Sequence, residues 1–162
     1  MTGFFGSLFS RAEPKLSEAT LRDAPDIAAL HGASFRRGWS EQEVETLLTD
    51  RHVIAHRALC GGKLAGFIIA RLVIDEAEIL SVAVARNRQG RGIAGHMLTL
   101  HLRRLAGLGA RTVFLEVDEN NKAAIGLYNG AGFREISRRP NYYAGENGRS
   151  AAALVLRRDL DS

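Results

Sequence analysis

The 162-residue chain holds one cysteine, one tryptophan, two methionines and three prolines. Cys60 has no partner for an internal disulfide, so the fold is expected to rest on its apolar core, in a reducing and therefore cytoplasmic setting. Cys60 also lacks a neighbouring histidine signature and reads as a small buried residue, not a nucleophile. His96 and His101 share one helical segment without a spaced third ligand, so no metal site is expected. Blocks of like charge are absent as well. The 22 basic and 18 acidic side chains are interleaved and leave a formal charge of +4, a balance that suits a small anionic ligand without requiring nucleic acid. Residues 1–15 cluster Phe4, Phe5, Leu8 and Phe9, but the apolar run is broken and no basic stretch precedes it. It reads as neither signal peptide nor membrane span. The expected organisation is an N-terminal arm over 1–15 and one domain over 16–162, with 46% hydrophobic residues to fill its core.

What the chain does have is an ordered stretch from Ile79 to Phe133. Ile79 to Val84 is a short apolar run without glycine or proline and predicts a buried strand. Asn87-Arg88-Gln89-Gly90-Arg91-Gly92 follows as a glycine turn. It leads into a periodic segment with Ala94, Leu98, Leu102, Leu105 and Leu108 on one face, closed by Gly107 and Gly109, which predicts an amphipathic helix. Glycines at a helix start let the backbone approach a ligand, and the unpaired N–H groups with the positive dipole end attract an anion such as a pyrophosphate. Gly90, Gly92 and Gly95 also match the dinucleotide fingerprint, with Glu116 about twenty residues further on. A nucleotide-binding oxidoreductase is therefore one alternative. Against it, five residues separate Val84 from Gly90, the unit begins mid-chain behind a hairpin, and too little sequence follows for a second mononucleotide half.

Before this stretch, a strand is expected near Leu16 to Leu21. Asp23-Ala24-Pro25-Asp26 opens a helix running through Ile27 and Leu30 to about Ser34. Ser40 caps a second helix, with Glu43 three residues on completing a capping box, and Trp39 lies in the loop between. Val53 to Leu59 and Leu64 to Ile74 flank Gly61-Gly62 as a tight hairpin. Antiparallel strands thus precede the glycine turn, unlike the alternation of strand and helix in a doubly wound fold.

Arg111 to Val117 alternates as a further strand, and Asn121 to Tyr128 opens a helix that ends at Gly130 and Gly132. The glycine turn after an apolar strand, then Leu115-Glu116-Val117, then N-x-x-A-x-x-L-Y-x-x-x-G-F over Asn121 to Phe133, resembles the GNAT acyltransferase superfamily. With Asn141-Tyr142-Tyr143, the pattern is similar to the RimI-type enzymes that acetylate the N-terminal alanine of a small-subunit ribosomal protein. The resemblance implies an α/β (α+β) fold with a mixed, mostly antiparallel sheet whose parallel central strands splay, flanked by helices. It implies acetyl-CoA as co-substrate, no metal, a protein N-terminus as partner, and no direct contact with nucleic acid or membrane. By the same resemblance Val82, Ala83 and Val84 offer backbone groups to the pantetheine arm, Arg88, Gln89, Gly90, Arg91, Gly92 and Ile93 cradle the pyrophosphate, and Asn121 touches the cofactor. Asn121 read alone is a helix N-cap, and both roles can hold. Asn87 stands where such enzymes carry Gln or Arg, which implies the loss of one phosphate-side contact.

Direct attack of an amine on a thioester requires a neutral nucleophile, a held oxyanion and a proton for the departing thiolate. The resemblance gives Glu116 the role of base, acting through water, and Tyr128 that of acid. A strand glutamate is otherwise an exposed carboxylate, and a tyrosine on an apolar helix face is otherwise core packing. Trp39 and Phe35, with Tyr142 and Tyr143 before the Gly145–Gly148 turn, border the acceptor side by resemblance; ordinary aromatic packing is the alternative. For a basic terminus the local acids Glu116, Asp118 and Glu119 outweigh the positive total. An enzyme of this fold acting on lysine or a small molecule, and a non-catalytic acetyl-CoA-binding module, also remain open.

Overall fold

Short alternating runs divided by turn residues give seven strands among the described residues: β1 (Lys15–Glu18), β2 (Val53–Cys60), β3 (Lys63–Val73), β4 (Glu76–Val84), β5 (Thr112–Asp118), β6 (Arg134–Ala144) and β7 (Ser150–Asp159). Four helices accompany them, α1 (Ala24–Ser34), α2 (Glu41–Thr49), α3 (Ile93–Gly107) and α4 (Lys122–Gly130). This computed structural model describes residues 13–144 and 150–160, without the side chains of 142–144. Expectations about residues 1–12 and the Gly145–Gly148 turn lie outside the described residues. None of the described helices is long and apolar enough to cross a membrane.

The strands form one sheet in the order β1-β2-β3-β4-β5-β7-β6, with β4–β5 as its parallel pair and antiparallel pairing elsewhere. This is the mixed, mostly antiparallel sheet expected. A dinucleotide fold needs repeated parallel βαβ units, so the oxidoreductase alternative fails on topology.

The parallel pair is short. β4 and β5 match only from Glu76↔Thr112 to Ile79↔Leu115, while β4 stays bonded to β3 as far as Val84↔Gly66 and β5 to β7 as far as Asp118↔Ala153. At the parting point β4 bulges: Ala70 faces Ile79 but Ile69 faces Ser81, leaving Leu80 extra. A bulge bends its strand and raises its twist, turning the end of β4 away from β5.

Alternation along the strands sends apolar side chains to both faces. On one face Ile79, Val113, Leu115 and Leu156 pack with Met97, Leu98 and Leu105 of α3. On the other, Phe67 and Ile69 pack with Ile27 of α1 and Val44 of α2. The buried stripe of α3 differs from the sequence expectation. It comprises Ile93, Met97, Leu98, His101, Leu102 and Leu105, whereas Leu108 is 40% exposed, because the helix ends at Gly107 and the periodicity no longer applies beyond it.

Local signals act in part as expected. Ser40 Oγ accepts from Glu43 N–H at 3.1 Å and starts α2. β1 stops at Glu18, and Leu21–Asp23 form a 3-10 turn. Asp23 stands at the N-cap of α1 without a side-chain capping bond. Its carboxylate instead accepts from Thr20 N–H at 2.7 Å and from Arg57 of β2 at 2.6 Å, tying the helix entry to the sheet.

Between β2 and α3, the Nδ1 atoms of His56 and His101 lie 2.8 Å apart in the core. Only one can carry the shared proton. Burial lowers the pKa of both, with the His56 charge a further cause for His101, which falls to about 3. Unfolded histidine titrates near 6.5, so the unfolded chain takes up protons first as pH falls. The pair's stabilisation is complete above about pH 6.5 and is lost toward pH 3, at about 1.4 kcal/mol per pH unit for each excluded proton. Urea unfolding of the wild type is therefore expected to shift to lower midpoints from pH 7 to pH 5. His101→Leu should show a shallower decline; an equal decline in both proteins would remove the pair as its cause.

Candidate active site

The parting of β4 and β5 leaves backbone groups on facing strand edges without a strand partner, and buried groups of this kind need one. A cleft of about 560 Å³ opens there. Val82, Ala83 and Val84 form one wall and Arg88, Gln89, Gly90, Gly92 and Ile93 the floor, while Asn121, Leu127 and Tyr128 of the α4 segment stand opposite. Of the ten residues that the resemblance assigns to acetyl-CoA, Arg91 alone does not line the cleft; it is exposed, as is Asn87.

The turn is shaped by its glycines. Gly90 and Gly92 have φ of 76° and 78°, a region that costs a side-chain-bearing residue about 1–3 kcal/mol. Gly92 occupies the N-cap position of the 15-residue α3, so the first N–H groups of that helix face the cleft end with a positive dipole behind them. Gln89 Nε2 donates to the Val84 carbonyl at 3.1 Å and braces the turn against the strand. Asn121 Oδ1 accepts from Ala124 N–H at 3.2 Å, the N-cap bond of α4.

Tyr128 lines the cleft and is only 7% exposed. Its ring meets Phe133 edge-on with centroids 5.6 Å apart. Burial raises its hydroxyl to about 12, so it keeps its proton across the physiological range.

Glu116 occupies the opposite face of the sheet. It alternates with Leu115 and Val117, which belong to the Tyr128 side, and it does not line the cleft. Arg139 of β6 reaches over β7 and pairs with Glu116 Oε1 at 3.2 Å. The neighbouring acids are also engaged: Asp118 accepts from Asn120 N–H at 2.8 Å, and Glu119 from Arg138 at 3.3 Å and from Ala152 N–H at 3.1 Å. The acidic groups beside the cleft are thus partly neutralised by arginines of the same sheet.

On the acceptor side implied by resemblance, Ser34 and Phe35 at the end of α1 complete the cleft wall. Trp39 lies away from it, stacked on His31 with centroids 4.0 Å apart at 10° and packed against the α1–α2 core. Tyr143 pairs through its backbone with Ala151; the side chains of Tyr142 and Tyr143 lie outside the described residues. No group of three or more metal-ligating side chains occurs among the described residues. Sequence reading missed Arg139, whose reach across β7 leaves no local signal. It also missed Ser81, next to the bulge, whose buried Oγ has no hydrogen-bond partner.

Residues 24–133 match the model of the acetyltransferase (GNAT) family. Over 140 residues the chain is 34% identical to the [ribosomal protein bS18]-alanine N-acetyltransferase of Escherichia coli (strain K12), spanning 86% of this chain and 94% of that one. The crystal structure of the ribosomal-protein-S18-alanine N-acetyltransferase from Escherichia coli aligns with a TM-score of 0.86 at 27% identity, over 93% of this chain and 96% of that one. Arabidopsis thaliana NAA60 in complex with acetyl-CoA aligns at 0.82 with 19% identity, over 93% and 100%, a likeness of fold. With its splayed parallel pair and glycine turn, this chain belongs to the GNAT acetyltransferase family and is an acetyl-CoA-dependent N-acetyltransferase.

Proposed function

We propose that the protein acetylates the N-terminal α-amine of another protein, the terminal alanine of a small-subunit ribosomal protein, in the cytoplasm. The reading is carried by a cleft shaped for an extended thioester, with Tyr128 inside it and Glu116 on the other face of the sheet beside the same gap. The relative that is 34% identical, named for the alanine of bS18, supports the acceptor.

Acetyl-CoA lies with its pantetheine arm along Val82–Val84 as an added strand. Its pyrophosphate meets the N–H groups of Gly90–Ile93 and the charge of Arg88, and Asn121 closes the other side. The peptide approaches from the α1–α2 face, where Glu116 and Phe35 stand. An α-amine has a pKa of about 8 against about 10.4 for lysine, so a carboxylate relaying through water suffices to free its lone pair.

Nitrogen attacks the carbonyl carbon, and a backbone N–H of β4 holds the oxyanion. The C–S bond then breaks and the sulfur leaves with its electron pair as a thiolate, the amine's proton passes through Glu116 to solvent, and solvent returns a proton to the thiolate. Tyr128, held at about 12, is a weaker acid than a thiol of about 8.5. Its contribution is a hydrogen bond to the developing thiolate, with proton transfer following C–S cleavage instead of leading it.

Incubation with acetyl-CoA and an alanine-starting ribosomal peptide, with fragmentation mass spectrometry, should place the acetyl group on the α-amine. Transfer to lysine alone, or acetyl-CoA binding without turnover of this peptide, would remove the acceptor assignment. Glu116→Gln is expected to lower kcat/KM by roughly 100-fold with unchanged acetyl-CoA affinity by calorimetry. Tyr128→Phe should lower kcat by roughly tenfold, as for one lost hydrogen bond to a charged atom; full activity in both variants would overturn the mechanism. Gly92→Val, which forces a branched residue to positive φ, should raise the KM for acetyl-CoA by roughly tenfold and leave the peptide KM near its original value.

A further inference from the structure

His31 is 5% exposed, sits in the last turn of α1, and has three separate holds on the segment that follows it. Its carbonyl accepts from Phe35 N–H at 3.0 Å. Its ring nitrogen Nδ1 accepts from Trp39 N–H at 3.0 Å, and its ring stacks on Trp39 and tilts against Phe35 with centroids 4.5 Å apart. The loop presses close at the same place, since a Cβ on Gly38 would stand 2.7 Å from the Gly32 Cα. Phe35, the first residue of this loop, belongs to the cleft wall.

We propose that His31 is a positioning residue: its neutral ring, accepting the Trp39 N–H at Nδ1, fixes the Phe35–Trp39 loop and with it the wall against which the acceptor peptide docks. The naming of the acceptor rests on the proposed function; the hold on the loop does not.

The bond exists only while Nδ1 carries no proton. A proton there sets two N–H donors against each other, and the loop loses its anchor. The surroundings favour the neutral ring. β3 presents Phe67, with centroids 6.2 Å from His31, and the loop presents Phe35 and Trp39. The Glu43 carboxylate on α2 pulls the other way, but burial is the larger effect and the pKa lies below the ordinary 6.5. The wall is therefore set at neutral pH and released in acid.

Trp39 is the single tryptophan of the chain, so its fluorescence reports this contact in the intact protein. On acidification from pH 8 the emission of the wild type should change in one transition below pH 6.5, before far-UV circular dichroism shows any loss of fold. His31→Asn, which retains an acceptor atom without titrating, should show no such transition. A flat wild-type trace, or the same transition in His31→Asn, would overturn the proposal. With the alanine-starting peptide, the wild-type to variant ratio of peptide KM should rise about fivefold from pH 7.5 to the acid side of that transition while the kcat ratio holds. The amine's own protonation is common to both proteins and cancels, so a constant KM ratio would refute the link to the acceptor. If neither protein acetylates that peptide, the acceptor reading fails and the fluorescence still decides the role of His31.

Discussion

The site depends on one constraint: β4 and β5 hold together for four residue pairs, Glu76↔Thr112 to Ile79↔Leu115, and then separate. The separation is imposed from outside. β3 keeps β4 to its last residue and β7 keeps β5 to its last, so each diverging strand is secured on its far edge. The bulge at Leu80 supplies the bend. Without that gap, Val82–Val84 would spend their hydrogen-bonding groups on β5, and no extended ligand could enter the sheet.

A gap in a sheet joins its two faces, and the proposed chemistry would use both. In that proposal the cofactor half is the α3–α4 face, where the turn glycines and Tyr128 lie, and the acceptor half the α1–α2 face with Glu116 and Phe35. In the proposed mechanism the Glu116 carboxylate and the Tyr128 hydroxyl would thus stand on opposite sides of the plane in which the thioester carbonyl would sit. Arg139 pairs with the Glu116 carboxylate, and in the proposed reaction an arriving amine would have to displace it. A surface guanidinium pair of this kind is worth little, so an acceptor can replace it at small cost.

The cofactor half was largely legible in the sequence because its determinants are local. Gly90 and Gly92 mark a turn before a helix, Asn121 marks a cap, and the alternation of Thr112 to Asp118 marks a strand. The hairpin at Gly61-Gly62 and the Ser40 cap were legible for the same reason. What escaped was set by tertiary contact. His101 reads as an ordinary helix residue until β2 brings His56 against it, and Asp23 reads as a cap until Arg57 draws its carboxylate away. Glu116 and Arg139 lie on strands parted by β7, which follows both in sequence, so no pattern announces their pairing. Leu108 satisfies the helix period and is exposed because Gly107 ends the helix first.

The two halves also differ in what they permit. The cofactor half is built from backbone N–H groups, a helix terminus and strand edges, which many side-chain choices can maintain; the fold persists at a TM-score of 0.82 with 19% identity. The proposed acceptor half would be bounded by the Phe35–Trp39 loop, and loops on a rigid frame are where binding preferences diverge. Trp39 shows how such a loop is held. Its stacking on His31 and its N–H bond to the same ring remove freedom that a five-residue loop would otherwise retain. On the proposed reading, acetyl transfer follows from the sheet and the choice of amine from how a few loop residues are anchored to α1. A substitution that loosens the loop should alter acceptor discrimination before it alters acetyl-CoA binding, because the glycine turn is held by its own backbone and by the Gln89–Val84 bond, not by His31.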